Sequence, residues 1–149
     1  MTSASGPGNS YLWNFGDNSS STAINPSHQY ATAGSFNVTL TITNQYGCSA
    51  SLTNNNLVNV YPKPIAKFTP DPSETQLITA NINFNNYSIG ASYYNWNFGD
   101  NITSTDFSPS HMYSDTGLFE VRLIASSQQQ CRDTAYEYVH IVGSFSFWC

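Results

Sequence analysis

The chain has very few charged side chains, and this scarcity limits what it can bind. Charged residues make up 9% of its 149 residues, whereas about a quarter is usual in soluble domains. Only four are lysine or arginine, and the formal net charge is −5 at pH 7. Because so few cations cannot neutralise a run of phosphates, neither nucleic acid nor an anionic membrane surface is expected as a partner.

Long apolar runs are missing as well. No stretch approaches the roughly 18–20 apolar residues that a membrane span needs, so no membrane insertion is expected. Residues 1–8 have neither a charged start nor an apolar stretch, and they do not resemble a signal peptide. If the protein is exported, either the signal is missing from this chain or the chain is a fragment. The many Asn, Ser and Thr residues favour an extracellular location with an uncharged polar exterior.

What the chain does contain is a long internal repeat with an offset of 83 residues. Between residues 11 and 48, 19 of 38 positions are identical at this offset. Such a match in fixed register indicates one structural unit used twice, which favours spacing or multivalency over catalysis. The repeated motif positions are Trp13, Phe15, Gly16, Asp17, His28, Tyr30 and Gly34, followed by Trp96, Phe98, Gly99, Asp100, His111, Tyr113 and Gly117.

Alternation of apolar and polar residues predicts short β-strands in both copies. Residues 36–42 and 119–123 place apolar side chains on one face only. Turn residues recur at short intervals, and no window has helical periodicity. The sequence therefore predicts an all-β protein made of tandem sandwiches.

The two copies are unequal in length. The second has strand candidates at 65–68 and 78–87, before its tryptophan, whereas only twelve residues precede Trp13. We expect a partial sandwich over 1–61, lacking its first two strands, a complete one over 62–142, and the start of a further strand or domain over 143–149. The inward side chains of the first copy, including Phe36, Val38 and Leu40, are then expected to meet water on one side.

These motifs resemble the polycystic kidney disease (PKD) domain, an immunoglobulin-like β-sandwich. Its hallmarks are Trp-x-Phe-Gly-Asp, Pro-x-His-x-Tyr and Gly-x-Phe-x-Val-x-Leu, and both copies carry all three. The departures are Asn14 and Asn97, where the family often has Asp, and Asn18 and Asn101, where it often has Gly. Residues 44–49 further resemble the end of a strand in PKD modules of large secreted Bacteroidetes proteins. Residues 142–148 resemble the lead-in to the gliding-motility-associated C-terminal domain that follows those modules, a domain linked to type IX secretion.

Three cysteines are an odd number. Cys48 and Cys131 occupy equivalent places in separate repeats, so we do not expect them to pair. A bond between Cys131 and Cys149 stays open. No CxxC motif occurs and the histidines are not clustered with cysteine, so no zinc site is expected.

Most polar motif residues are interpreted as structural because they occur once per repeat. His28 and His111 have no nucleophile or orienting carboxylate at a telling spacing, so no catalytic residue is assigned. Asp17 and Asp100 are the only candidate calcium ligands; otherwise no cofactor or metal is expected, and the alternative is that each carboxylate caps its own turn. Tyr30 and Tyr113 are expected to bond backbone as a tyrosine corner, and Trp13 and Trp96 to be core.

Three functions remain open. The first is a non-catalytic structural or adhesive module of a secreted or cell-surface protein, whose partners are other protein domains or subunits. The second is an accessory carbohydrate-binding module of a secreted hydrolase, with Tyr93, Tyr94, Tyr136 and Tyr138 stacking against sugars. The third is a filament or virion subunit in which Phe145, Phe147 and Trp148 form a donor strand that completes the first domain of a neighbour. The alternative to donation is that residues before Met1 in a longer protein supply the missing strands.

Overall fold

The computed structural model describes residues 8–143, and the chain divides into two compact units, Met1–Pro62 and Lys63–Cys149. The first unit contains strands β1 (Ser10–Asn14), β2 (Ser20–Ser21), β3 (Gly34–Thr43) and β4 (Ser49–Val60). The second contains β5 (Phe68–Asp71), β6 (Glu74–Gln76), a 3₁₀ turn (Leu77–Thr79), β7 (Asn81–Asn86), β8 (Tyr93–Asn97), β9 (Thr103–Ser104), β10 (Ser110–Met112), β11 (Gly117–Ser126) and β12 (Arg132–Val142). The predicted all-β fold is confirmed.

The second unit is a sandwich of two sheets. Strands β10, β7 and β5 form a three-stranded antiparallel sheet, and β6, β12, β11, β8 and β9 form a five-stranded one. The predicted strands at 65–68 and 78–87 are shifted, because Ile65 makes only an isolated bridge with Ile89 and the ladder between β5 and β7 begins at Phe68. Strand β6 was not predicted; it pairs in parallel with β12.

The core of the second unit lies between its two sheets. The apolar side chains of β7, Ile82 and Phe84, are 0% exposed, and they pack with the equally buried Trp96 and Leu123 of the facing sheet. The alternation of β11 explains this arrangement, since every second side chain of a strand points to the same face.

The first unit has one sheet, with strand order β2, β1, β3, β4. Within residues 8–62 no strand precedes β1, as predicted. The first unit also lacks a counterpart of β10, because residues 27–29 form no strand. The partner of β10 is β7, and a strand here requires a neighbour to pair with.

The expectation that the inward side chains of the first unit meet water is also wrong. Phe36, Val38 and Leu40 are only 7–9% exposed. The segment between β2 and β3 partly covers this face, since the Tyr30 ring stacks on Phe36 with centroids 4.2 Å apart and the Trp13 indole N–H donates to Ala23 O at 3.1 Å.

The outer face of the first unit carries paired hydroxyl groups across β3 and β4. The oxygens of Thr39 and Thr53, of Thr41 and Ser51, and of Thr43 and Ser49 each lie 2.8 Å apart. The positions at offset 83 in the second unit pair Arg122 with Tyr136, Ile124 with Thr134, and Ser126 with Arg132. The two outer faces therefore differ in chemistry although the strands are equivalent.

Candidate functional site

The repeated motif forms the same turn in both units. The side-chain oxygen of Asn14 accepts a hydrogen bond from Gly16 N, and that of Asn97 accepts one from Gly99 N, both at 2.9 Å. Gly16 and Gly99 have φ values of 84° and 89°, a region that side-chain-bearing residues rarely adopt. The turn therefore requires glycine at this position.

Each aspartate of the motif binds the histidine that follows eleven residues later. Asp17 Oδ2 lies 2.7 Å from His28 Nε2, and Asp100 Oδ2 lies 2.6 Å from His111 Nε2. All four side chains are partly or largely buried, with 11–21% exposed. The statement that these histidines lack an orienting carboxylate is thus wrong. The carboxylate is present because the motif turn and the segment entering β3 or β11 come together; the constant eleven-residue spacing in both repeats was the available signal.

The other carboxylate oxygen holds the turn itself. Asp17 Oδ1 accepts from Ser19 N at 3.1 Å and from the Ser19 hydroxyl, and Asp100 Oδ1 accepts from Ile102 N at 3.0 Å. Both oxygens of each carboxylate are therefore engaged within the protein. The Ser19 and His28 hydrogen bonds hold the pKa of Asp17 at about 2, below the usual 3.8.

Ser19, His28 and Asp17 do not have the geometry of a hydrolytic triad. In such a triad the serine and the carboxylate contact opposite nitrogens of the imidazole. Here Ser19 Oγ lies 3.2 Å from His28 Nε2, the same nitrogen that contacts Asp17. In the second unit the serine is replaced by Ile102, which has no nucleophile.

The histidine also belongs to a row of four aromatic rings in contact with one another. In the first unit Phe15 stacks on His28 with centroids 4.1 Å apart, and His28 meets the edge of Tyr30 at 4.6 Å. In the second unit the matching distances are 4.3 Å and 4.6 Å, and Tyr113 stacks on Phe119 at 4.4 Å. We call these rows the aromatic ladders: Phe15, His28, Tyr30 and Phe36 in the first unit, and Phe98, His111, Tyr113 and Phe119 in the second.

The tyrosine of each ladder is bonded to backbone. The Tyr30 hydroxyl donates to Phe15 O at 3.1 Å, and the Tyr113 hydroxyl donates to Phe98 O at 2.9 Å. Burial raises the pKa of both phenols, with the aspartate charge of each motif adding to the effect. Gly34 and Gly117 open the strands that carry the last ring of each ladder.

The candidate calcium ligands have no further acidic neighbours. Among residues 8–143 there is no group of three or more His, Cys, Asp or Glu side chains placed to hold a metal ion. Calcium takes six to eight oxygen ligands, and the Asp17 and Asp100 oxygens already accept the hydrogen bonds described above. Calcium binding at Asp17 and Asp100 stays a prediction.

The family model of the PKD domain matches the chain twice, over residues 1–60 and over residues 61–141. The chain belongs to the PKD-domain family. The two units are hereafter the first and second PKD domains. Asn18 and Asn101 depart from the glycine common in the family, and their φ values of 69° and 72° lie in the region that asparagine tolerates better than most residues.

Three relatives match short parts of the chain. A microbial collagenase of Vibrio alginolyticus is 46% identical over 44 residues, or 30% of this chain and 5% of the relative. Collagenase ColA of Bacillus cereus is 50% identical over 38 residues, which are 26% of this chain and 4% of the relative. Pre-pro-metalloprotease PrtV of Vibrio cholerae is 48% identical over 50 residues, which are 32% of this chain and 5% of the relative. The chain thus matches at most 5% of the length of these curated relatives.

Two solved PKD domains match parts of the chain. The PKD1 domain of Vibrio anguillarum Epp is 23% identical with a TM-score of 0.49, and the match covers 56% of this chain and 98% of that domain. The PKD1 domain of the Vibrio cholerae metalloprotease PrtV is 23% identical with a TM-score of 0.48, covering 54% and 98%.

The four tyrosines that were predicted to bind sugars do not share one environment. Tyr93, Tyr136 and Tyr138 are 53–63% exposed. Tyr94 is half-buried, with its ring 5.2 Å from that of Phe107 and its hydroxyl donating to Ala91 O at 3.2 Å. The prediction is wrong for Tyr94, because successive residues of β8 point to opposite faces and Tyr94 shares the inward face with Trp96.

Several other predicted residues can be placed briefly. Cys48 and Cys131 are free thiols among the described residues, while a bond from Cys131 to Cys149 lies outside them. Phe145, Phe147 and Trp148 also lie outside the described residues. Within residues 8–143, the structure has no helix long and apolar enough to cross a bilayer.

Proposed function

We propose that this chain is a non-catalytic, extracellular structural and adhesive module of a secreted or cell-surface protein, whose partners are other protein domains or subunits. The observation that carries the proposal is that the motif residues contact other parts of their own domain. In both PKD domains the Asp–His pair and the aromatic ladder join the motif turn to the start of β3 or β11, and both carboxylate oxygens hold parts of the same domain.

The chemistry of the Asp–His pair supports a structural role. A general base needs a free nitrogen facing a substrate or nucleophile. Nε2 of each histidine faces a carboxylate, and the imidazole face is stacked on phenylalanine. The neighbouring hydroxyl in the first domain has no counterpart in the second. A duplicated catalytic site would be expected to keep its nucleophile in both copies.

The relatives support an accessory role outside the cell. Two are collagenases and one is a pre-pro-metalloprotease, and each shares at most 5% of its length with this chain. A tandem of small β-sandwich domains suits a spacer or a contact surface, because each domain presents a rigid outer sheet and repetition adds reach and multivalency.

A turnover assay tests the non-catalytic part of this proposal. Purified chain is incubated with collagen, gelatin and a polysaccharide panel, and released peptide ends or reducing ends are measured. We expect no product above a heat-denatured control. His111→Ala is expected to lower the thermal stability of the second domain and to change no turnover. Product formation that His111→Ala abolishes would contradict the proposal.

A second candidate function, accessory carbohydrate binding, is favoured by the outer face of the second domain. A shallow cleft of about 350 Å³ there is lined by Asn97, Gly99, Glu120, Arg122 and Tyr136. The Tyr138 hydroxyl donates to Glu120 Oε2 at 2.9 Å, and this hydrogen bond raises the pKa of Tyr138. The buried Arg122 Nε has no hydrogen-bond partner among residues 8–143.

Exposed tyrosines beside amide and charged groups suit a sugar, which offers both an apolar face and hydroxyls. The first domain has Thr53 where the second has Tyr136, and Thr39 where it has Arg122. The binding test is therefore a comparison within the chain. Glycan-array binding that Tyr136→Ala removes, and that Thr53→Ala leaves unchanged, would support this candidate over the first.

We also propose that the parent protein is one of the large secreted, gliding-motility-associated surface proteins of the Bacteroidetes, exported by type IX secretion. The support is the resemblance of residues 44–49 and 142–148 described above. Reading the gene on both sides of this sequence tests it. A type IX sorting domain downstream is the expected result, and a protease domain in its place would contradict it.

A further inference from the structure

A second cleft lies on the outer face of the second PKD domain, further along β11 than the cleft beside Tyr136. Its volume is about 390 Å³, and none of its lining residues is acidic. It is lined by Tyr93, Ser126, Ser127, Gln128, Gln130 and Arg132. Ser126 pairs with Tyr93 of β8 on one side and with Arg132 of β12 on the other, so these three side chains share the outward face. We call it the Tyr93 cleft, and the cleft described above the Tyr136 cleft.

The two clefts are arranged in line along β11. Arg122 of the Tyr136 cleft and Ser126 of the Tyr93 cleft are four residues apart on the same face of this strand, which is about 13 Å. In the first cleft Arg122 lies opposite Tyr136 in the strand pairing, and in the second Arg132 and Tyr93 flank Ser126. The two tyrosines are 53% and 63% exposed. Each cleft therefore combines one guanidinium group with one exposed tyrosine ring.

Each cleft also has a buried polar atom in its wall that lacks a hydrogen-bond partner. In the Tyr93 cleft this atom is the hydroxyl oxygen of Ser127, a residue that is 6% exposed. In the Tyr136 cleft it is Nε of Arg122. Residues 8–143 contain just these two buried side-chain atoms without a partner. Because buried polar groups in folded proteins are almost always hydrogen-bonded, their placement in these two clefts indicates walls that a hydrogen-bonding ligand would complete.

The guanidinium groups determine which charge the ligand should have. Both arginines of the chain lie on this face, and among residues 8–143 neither forms an ion pair. Lys63, by contrast, is paired with Asp133 at 2.6 Å. An arginine stays charged and presents its donors in a plane, which matches a carboxylate. The one acidic lining residue, Glu120, accepts a hydrogen bond from the Tyr138 hydroxyl and has a second oxygen for a hydroxyl of the ligand.

The first PKD domain has the equivalent strands without these groups. Thr39 and Thr53 stand where the second domain has Arg122 and Tyr136, and their oxygens lie 2.8 Å apart. Ser49 stands at the position of the other arginine, and its hydroxyl is likewise paired with a threonine across the sheet. The polar groups on that outer face bond to one another. The combination of unpaired arginines and exposed tyrosines therefore distinguishes the second domain from the first.

We propose that the two clefts form one binding face for an acidic polysaccharide, whose uronic acid carboxylates bind Arg122 and Arg132. The sugar rings lie against Tyr136 and Tyr93, and hydroxyl groups of the sugars bond to Ser127 and to the neighbouring amides. Because the two clefts are about 13 Å apart along the strand, the ligand gains both carboxylate contacts only as a chain of several sugars. This inference rests on the carbohydrate-binding function proposed above, and it adds the charge and the reach of the ligand.

The first experiment compares three polymers by calorimetric titration of the full chain without calcium. Polygalacturonate should bind, and its carboxyl-reduced form should bind about 10-fold or more weakly, since a hydrogen bond to a charged group contributes about that factor. Polyglutamate, which has carboxylates but no sugar rings, should bind as weakly as the reduced polymer. Equal binding of both sugar polymers would overturn the inference and leave the carbohydrate-binding function standing. Binding of neither would overturn both, and equal binding of polyglutamate would indicate an acidic peptide as the ligand instead.

The second experiment locates the contacts with variants of the two arginines. Arg122→Gln and Arg132→Gln should each weaken polygalacturonate binding about 10-fold, and the double variant about 100-fold, because effects at well-separated sites add in free energy. Lys67→Gln is the matched control, since it removes the same charge beside β5, a strand of the other sheet. Thermal melting checks that each variant is folded, and Arg132 is exposed, so its variant tests the inference even if Arg122→Gln unfolds. Wild-type affinity in Arg132→Gln, or an equal loss in Lys67→Gln, would overturn the proposal.

Discussion

The two PKD domains of this chain share a motif but differ in what surrounds it. In the second, Trp96 and Tyr113 are 0% and 2% exposed between two sheets, whereas in the first Trp13 is 7% exposed above a single sheet. The Asp–His contact nevertheless has almost the same length in both, 2.7 Å and 2.6 Å. The motif therefore specifies a local turn and ring stack that does not depend on the second sheet, while the second sheet completes the burial of the core.

The largest difference between the domains is expected from removal of the core tryptophans. Trp96→Ala should cost about 3–5 kcal/mol, a large share of the roughly 5–15 kcal/mol that stabilises an ordinary domain. Trp13→Ala should cost less, because its surroundings are less completely packed. Hydrogen exchange read separately on peptides of each domain checks this, with the exposed Leu118→Ala as control. Equal losses in both domains would contradict the comparison.

Substitution of the motif glycines should affect both domains alike. A Cβ added at Gly16 would lie 2.5 Å from Asn37 O, and one added at Gly99 would lie 2.7 Å from Glu120 O. With the positive φ, each alanine variant should lose about 1–3 kcal/mol. Gly47→Ala is the control for the backbone conformation alone, since its φ is 81° and nothing lies within 4 Å of the added carbon. Thermal melting measures the loss in each variant. If the melting temperatures of the two domains fell by amounts several degrees apart in Gly99→Ala and Gly16→Ala, the stability of the turn would depend on the second sheet.

Removal of the tyrosine hydroxyl from each aromatic ladder should destabilise the two domains by different amounts. Tyr113→Phe leaves Phe98 O without its donor in a buried place, at an expected cost of about 1–3 kcal/mol. Tyr30→Phe should cost about 0.5–1.5 kcal/mol, because Tyr30 is only partly buried. Chemical denaturation measures both, and Tyr46→Phe, at an 81% exposed site, should match wild type. A larger loss of stability for Tyr30→Phe than for Tyr113→Phe would contradict this prediction.

The smallest expected effect is the acid sensitivity of the first domain. Since the folded pKa of Asp17 is about 2, below its usual 3.8, the stability it supplies is present above about pH 4 and is lost as pH falls toward 2. Asp17→Asn should therefore be less stable than wild type at pH 5 and closer to it at pH 2. A carboxyl-carbon NMR titration of Asp17 with a midpoint near 3.8 would contradict the lowered pKa.

Much of the fold is readable from the sequence because its cause is local. The alternation in β3, β7 and β11 predicts their inward faces, and the fixed offset of the repeat predicts equivalent strands. Strand β6 has no such signal, since Glu74–Gln76 lacks an apolar alternation and is held by parallel pairing to a strand more than 60 residues away. A contact to His140, 2.9 Å from Glu74, is equally non-local.

The candidate site was less predictable than the fold. Each aspartate lies in the turn between β1 and β2 or between β8 and β9, and its histidine lies beyond the second of those strands. Strand periodicity therefore carries no information about the pair. The absence of a β10 counterpart in the first domain has a related cause. Residues 27–29 and 110–112 begin with the same Ser-His, and only the presence of β7 as a neighbour makes the second segment a strand.

The paired hydroxyls on the outer face of the first domain have a consequence for the medium in which it works. Asp17 is the one charged side chain in the sequence of residues 1–62, and the exposed Thr and Ser groups of β3 and β4 bond to one another. Dissolved ions weaken interactions between exposed charges by screening them, and this surface has almost no charges to screen. The stability and contacts of the first domain should therefore change little as ionic strength rises from that of fresh water to the physiological range.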